Sequence, residues 1–315
     1  MADHAVEDNI YVYRGGRAPL HVTHVLIDKS VDEIEDDAFE NCVHLSQVDT
    51  HDGLRKIGRG AFCECCSLRR INLKSAVEIG LEAFYNCHNL ESVEFGDRLE
   101  TIGDGAFSHC YSLTHLKLQS IITIGNHAFH YCEHLTDFEL SERLETIGAG
   151  AFKFCDRLQR IAIPMRRSDI NQDYNQFEGC DRLTTVNLIG GIHETVSSLH
   201  MESWRTEMIS EINRINQVLP NTSRLEKTDV IRQWMDSAMD KMDYYKAEHF
   251  RYVKEGIALL ELALWKAKLG DKDYNSVERT TKKAKVDTES YRRDKRITCG
   301  ADTVIKNVLL FLQLE

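Results

Sequence analysis

With 315 residues, 42% of them hydrophobic, 28% charged and only three prolines, the chain has the composition of a folded protein of about two structural units rather than a disordered one. Its formal charge of −11 works against the phosphates of nucleic acid and of anionic membranes, so neither is expected as a partner. The opening MADHAVEDNIYVY is acidic without an apolar run, and no stretch reaches the ~18 apolar residues that span a bilayer, so the expected location is intracellular, cytoplasmic or nuclear.

Residues 1–19 read as an N-terminal cap segment, with Tyr11, Val12 and Tyr13 over the open end of a repeat array. Val22, Val25 and Ile27 begin an incomplete first rung, and residues 20–189 then carry about seven copies of one unit, I-G-x-x-A-F-x-x-C-x-x-L-x-x-V-x-L. Its phenylalanines are Phe39, Phe62, Phe84, Phe107, Phe129, Phe152 and Phe177, each followed three residues later by Cys42, Cys65, Cys87, Cys110, Cys132, Cys155 or Cys180. The V-x-L part alternates apolar and polar, which predicts a short strand with one buried face. The Ile-Gly part, at Gly58, Gly80, Gly103, Gly125 and Gly148, predicts a bend where a missing Cβ serves either a positive φ or a close neighbouring coil. A single coil has nothing to bury its inward side chains against except the coils above and below, so the units must stack. The string RLETIG, at 98–103 and again at 143–148, suggests that the repeat grew as a pair. After Ile163 the register loosens through Pro164 and SDINQDYNQ, which predicts a protruding loop.

At a repeat position the cysteines read as small packing residues with free thiols. Adjacent rungs lie about 4.8 Å apart, too far for the ~3.8 Å between Cβ atoms that a disulfide requires. Cys63-Glu64-Cys65-Cys66 lacks the spacing of a zinc knuckle, so Cys63 and Cys66 read as ordinary surface cysteines, with zinc and redox sensing as alternatives. His44, His88, His109, His127, His130 and His134 share no repeat position and read as residues of solvated turns. No cofactor and no metal are expected.

The unit resembles the BspA-type class of leucine-rich repeats over roughly residues 20–190. The strings GGIHETVSSLHMESWRTEM, EINRINQVLP, LLELALWKAKLG and RITCGADTVIKNVL are further similar to a set of leucine-rich-repeat proteins from diatoms. The resemblance implies an α+β fold: a right-handed leucine-rich-repeat solenoid with a parallel sheet, followed by an α-helical C-terminal domain. It implies a protein-interaction module and brings no catalytic residues. Bacterial members of the class are often surface-exposed.

In such a solenoid the solvent side of the strands is the expected recognition face. Flanking each buried strand residue are Gln47 and Asp49, Arg70 and Asn72, Ser92 and Glu94, His115 and Lys117, Asp137 and Glu139, and Arg160 and Ala162. This face mixes both charge signs and has no aromatic series, which suits a protein partner better than single-stranded nucleic acid.

Past residue 190 the period becomes helical. Residues 190–270 read as a helical cap domain, with one helix capped by Ser197 or Ser198 and ended before Pro220, and a second from about Lys227 stopping at Gly270. Its apolar residues read as core or as the seam of a homo-oligomer. Residues 271–296 read as a basic polar linker and 297–315 as a C-terminal helix. Function is therefore expected to be non-enzymatic protein binding inside the cell. The alternatives are an enzyme or enzyme subunit with its site in the helical domain, and a nuclear nucleic-acid-associated protein using the linker.

Overall fold

The computed structural model describes residues 10–164, 175–189 and 202–278. The expected loop after Pro164, the Ser197/Ser198 cap, most of the basic linker and the C-terminal helix lie outside them. The chain divides into two compact units, residues 1–242 and 243–315.

In chain order the strands are β1 (Ile10–Tyr13), β2 (His24–Ile27), β3 (Glu33–Ile34), β4 (Gln47–Asp49), β5 (Lys56–Ile57), β6 (Arg70–Leu73), β7 (Glu78–Ile79), β8 (Ser92–Phe95), β9 (Thr101–Ile102), β10 (His115–Leu118), β11 (Thr123–Ile124), β12 (Asp137–Leu140), β13 (Thr146–Ile147), β14 (Arg160–Pro164) and β15 (Thr185–Ile189). The longer strands lie side by side in the runs β1-β2-β4, β6-β8 and β10-β12-β14-β15. All of these pairings are parallel, which makes the first unit a parallel-sheet solenoid of about seven turns. Parallel strands need a crossover between them, and here each crossover is the rest of one coil. Ile10–Tyr13 pairs with His24–Ile27, so the sheet already includes a strand in the segment read as a cap.

The Ile-Gly segment is more than a bend. Its isoleucine and the residue before it form a second parallel sheet, β3-β5-β7-β9-β11-β13, which the repeat pattern did not reveal because two residues are too short to alternate visibly. The glycine that follows each of these strands from β5 to β13 has no positive φ; it serves the close approach. Each glycine N–H donates to the isoleucine carbonyl one coil earlier at 2.8 Å, from Gly58 to Ile34 through to Gly148 to Ile124. A Cβ at any of the five would lie 2.4 to 2.8 Å from atoms of the preceding coil, mostly backbone.

Inside, the phenylalanines are fully buried. From Phe39 to Phe177 their rings stack in one column, with centroids 5.0 to 5.7 Å apart and planes within 3 to 9°. Tyr13 closes the N-terminal end of the column, its ring 4.9 Å from that of Phe39, and its hydroxyl accepts the Glu35 N–H at 3.2 Å. Beside this column run the thiols. From Cys65 to Cys180, each Sγ donates to the phenylalanine carbonyl of the preceding coil at 3.0 to 3.2 Å. All seven are free and buried. The position selects a small side chain with one weak donor, and cysteine is that residue.

The paired character of the repeat has a steric cause. Two residues before each phenylalanine from Phe39 to Phe152 the backbone is left-handed, at Asp37, Gly60, Glu82, Gly105, His127 and Gly150 in turn. Gly150 has φ 57°, and a Cβ there would lie 2.7 Å from the His127 ring. Side chain and no side chain therefore alternate from coil to coil.

The last coil has no successor, and two helices stand in for one: α1 (Glu202–Val218), followed by a 3-10 turn (Leu219–Asn221), and α2 (Lys227–Glu278). In earlier coils the phenylalanine N–H donates to a carbonyl of the next coil; the Phe177 N–H donates instead to Thr228 Oγ1 at 3.0 Å. The Gly179 N–H finds the Arg224 carbonyl at 3.1 Å, and the Val186 N–H finds Asn216 Oδ1 at 2.8 Å. Lys227, only 2% exposed, spends its ammonium on the carbonyls of Asp181 and Leu183 at 3.1 and 2.6 Å. Desolvation holds its pKa below that of an ordinary lysine. Ile215, Leu219, Ile231, Trp234, Met235 and Met239 extend the core over the last rung. Without such groups the terminal backbone N–H and C=O would be buried unpaired, at a cost of about 1 to 3 kcal/mol each.

One boundary differs from expectation. The second helix does not stop at Gly270 but continues to Glu278, through the first residues assigned to the linker. One glycine inside a helix costs only about 1 kcal/mol, too little to end it when strong helix formers precede it.

Candidate functional site

Every second residue of the long strands is buried, at Val48, Ile71, Val93, Leu116, Phe138 and Ile161, which turns their neighbours outward. Gln47, Arg70, Asn72, Glu94, His115, Lys117 and Arg160 are exposed, while Asp49, Ser92 and Ala162 are half-buried. Parallel register sets Arg70 beside Ser92 and Asn72 beside Glu94; it likewise aligns His115 with Asp137 and Arg160, and Lys117 with Glu139 and Ala162. Within each run of strands these residues thus lie in register along the sheet.

Its charges are partly tied down. Asp49 accepts from Gln47 Nε2 at 3.1 Å and faces His24 Nε2 at 2.8 Å. These contacts, that with Gln47 foremost, hold its carboxyl below the usual aspartate range. Glu94 pairs with Lys74 at 2.8 Å, which lowers the carboxyl pKa and raises that of the ammonium. Such exposed pairs are screened by solvent and contribute little stability. Arg70 lies 4.0 Å from Glu91, and His115 Nδ1 lies 3.2 Å from Thr136 Oγ1. Thr50, the one polar residue at its strand position, donates to the Asn72 carbonyl at 2.6 Å and bridges β4 and β6, where the strand ladder is interrupted.

Among the described residues no group of three or more His, Cys, Asp or Glu could hold a metal ion. Cys63 and Cys66 are half-buried. Burial, and then Glu64, Glu40, Glu82 and Asp37, push the Cys63 thiol up to about 11, so it stays protonated at neutral pH. The Cys66 thiol is also pushed up, by burial and by Glu64, and it donates to the Asn86 carbonyl at 3.6 Å.

A second surface feature was not read from the repeats. The residue before each repeat cysteine is left-handed, at Asn41, Glu64, Asn86, His109, Tyr131, Phe154 and Gly179. In the later coils this column becomes a ladder of rings: His109 on Tyr131 at 4.9 Å and Tyr131 on Phe154 at 4.8 Å, with Tyr85 edge-on to His109 at 5.5 Å. His130 packs beside it, 4.3 Å from Tyr131 and 5.1 Å from His127. His109, stacked on Tyr131, and His130, tilted against Tyr131 and Phe154, are therefore half-buried against rings rather than lying free in solvated turns. The signal was present at Cys−1, but histidine counted alone conceals a column whose other members are tyrosine and phenylalanine.

Burial foremost, followed by His127, His109 and Lys153, lowers the His130 pKa to about 4. Burial and His88 lower that of His109. An unfolded histidine takes its proton near 6.5, so the unfolded chain binds more protons than the native one between there and about 4. Stability contributed by the neutral ring is complete above ~6.5 and is lost as the pH falls through this window. The urea midpoint is expected to drop between pH 7.5 and 5, a range above carboxylate titration, and to drop less in His130→Phe. Equal drops in the two proteins would rule out this source.

A family profile described as a BspA type leucine rich repeat region matches in six copies, over residues 19–133 and 101–218. No curated protein matches. Among solved structures, the chain is similar to a leucine rich cell surface protein from Faecalibacterium prausnitzii, at 22% identity over 54% of this chain and 61% of that one, with a TM-score of 0.38. It is also similar to a leucine rich repeat protein of T. pallidum, at 23% identity over 61% of this chain and 88% of that one, with a TM-score of 0.38. A third is a leucine-rich repeat protein from Bacteroides ovatus, at 24% identity over 53% of this chain and 61% of that one, with a TM-score of 0.34. The chain thus spans less than two thirds of the Faecalibacterium protein. No described helix is long and apolar enough to cross a membrane. With the repeat unit, its stacked core and the profile match all falling on the same residues, the chain belongs to the BspA-type leucine-rich repeat family.

Proposed function

We propose that this protein is a non-enzymatic scaffold that binds a protein partner through the strand face of its solenoid, centred on Arg70, Glu94, His115, Lys117 and Arg160. The observation that carries the reading is the order of that face. Side chains of both signs project at a fixed spacing from strands whose opposite side is sealed in a continuous core. A pre-ordered polar surface loses little entropy on binding, and its charge pattern can select a partner. We place the protein inside the cell, a reading supported by the nine described cysteines, all free thiols, which suit a reducing compartment. We also place it nearest the diatom members of the family, on the strings of residues 190–309.

The test is proximity labelling with the intact chain and with the triple variant Arg70→Glu, Glu94→Lys, Lys117→Glu. Partner recovery is expected to fall about tenfold or more, since like charges now meet across the interface, while the melting temperature stays unchanged. An unchanged partner set would remove this face from consideration.

A further inference from the structure

The second unit is described by residues 243–278 of α2, which carry an apolar stripe with nothing described over it. Phe250, Val253, Ile257, Leu260 and Leu264 succeed one another at intervals of three and four, the spacing of heptad a and d positions. Phe250 and Leu260 are 48% and 45% exposed, and the other three are half-exposed. An apolar stripe that no described residue covers offers a docking surface, and its flanks determine what docks.

On one flank, the e positions hold Lys254 and Glu261, both exposed. On the other flank is Gly256, where a Cβ would meet nothing within 4 Å. In a parallel pair of such helices, g residues face e residues of the next heptad. Gly256 would then oppose Glu261, leaving Lys254 and Glu261 without each other. In an antiparallel pair, e faces e: Lys254 of each copy meets Glu261 of the other, twice over by symmetry. The same superposition sets Ile257 against Leu260 and Val253 against Leu264, each also occurring twice. The open flank at Gly256 lets the backbones come close.

We infer that two copies of this chain pair antiparallel through residues 250–264 of α2, with Lys254 and Glu261 fixing the orientation. The pairing stands independently of the strand face.

Light scattering and sedimentation of the full chain at tens of micromolar test this inference, with helicity tracked by circular dichroism. The unaltered chain is expected to be a dimer. Lys254→Glu and Glu261→Lys should each weaken it about tenfold, because each places two like-charge pairs at the seam. The chain carrying both changes should recover, since opposite charges face each other again. A monomer, or a dimer indifferent to both reversals, would overturn the inference. So would a monomer that dimerises only when residues 304–315 are removed, because the stripe would then be covered by the chain's own C-terminal segment.

Discussion

Gly148→Ala is expected to destabilise the solenoid by about 3 kcal/mol, although it adds a single methyl group. That methyl would stand 2.4 Å from Asn126 N and from Gly125 C, atoms of the preceding coil's backbone. A flexible side chain could swing away, but a coil held from both sides cannot. Asn126 is tied through its own N–H and side chain to Asp104, and its Oδ1 accepts the Ala149 N–H at 2.8 Å. Relieving the overlap means separating two rungs and stretching the bond from the Gly148 N–H to the Ile124 carbonyl, now 2.8 Å. Chemical denaturation monitored by circular dichroism reads the effect directly. A midpoint equal to that of the unaltered protein would mean that the coils are not in contact at this glycine.

Phe107→Ala is expected to cost about 3 to 5 kcal/mol, the usual loss for a buried phenylalanine that leaves a cavity. Its ring is fully buried, sandwiched between Phe84 at 5.0 Å and Phe129 at 5.5 Å, with Phe95 against its edge at 5.9 Å. The column is one-dimensional, so the gap separates the coils before it from the coils after it. Unfolding should therefore lose cooperativity as well as stability, with hydrogen exchange accelerated first at residues 101–118. Phe107→Leu, which refills part of the space, should recover more than half of the loss. A loss below about 1 kcal/mol for the alanine variant would be inconsistent with a shared, closely packed core.

How much of this was legible in the sequence depended on the length of the signal. Seven copies of Phe-x-x-Cys-x-x-Leu, at spacings of 22 to 25 residues, determine by themselves that the chain is a stacked solenoid, because no isolated coil could bury those side chains. The outward columns, Arg70 and Asn72 through Arg160, come from the same alternation, since the strand period of two leaves them no other face. The sequence also predicted that the cysteines would be free, though not why they are cysteines. Only the fold supplied that reason, by bringing each thiol from Cys65 onward to a phenylalanine carbonyl 25 to 28 positions away in the numbering.

Other features had to wait for the tertiary structure. The two-residue strands such as Thr123–Ile124 are too short to be periodic and are seen only where like neighbours lie on both sides. The ring ladder of His109, Tyr131 and Phe154 and the cap made by Asn216, Arg224, Lys227 and Thr228 escaped the pattern for another reason. Each is a meeting of unlike residues, and periodicity records only like ones. Repetition determined the core and the exposed columns; the places where repetition ends or changes were decided by which donors and acceptors the folded coils left unpaired.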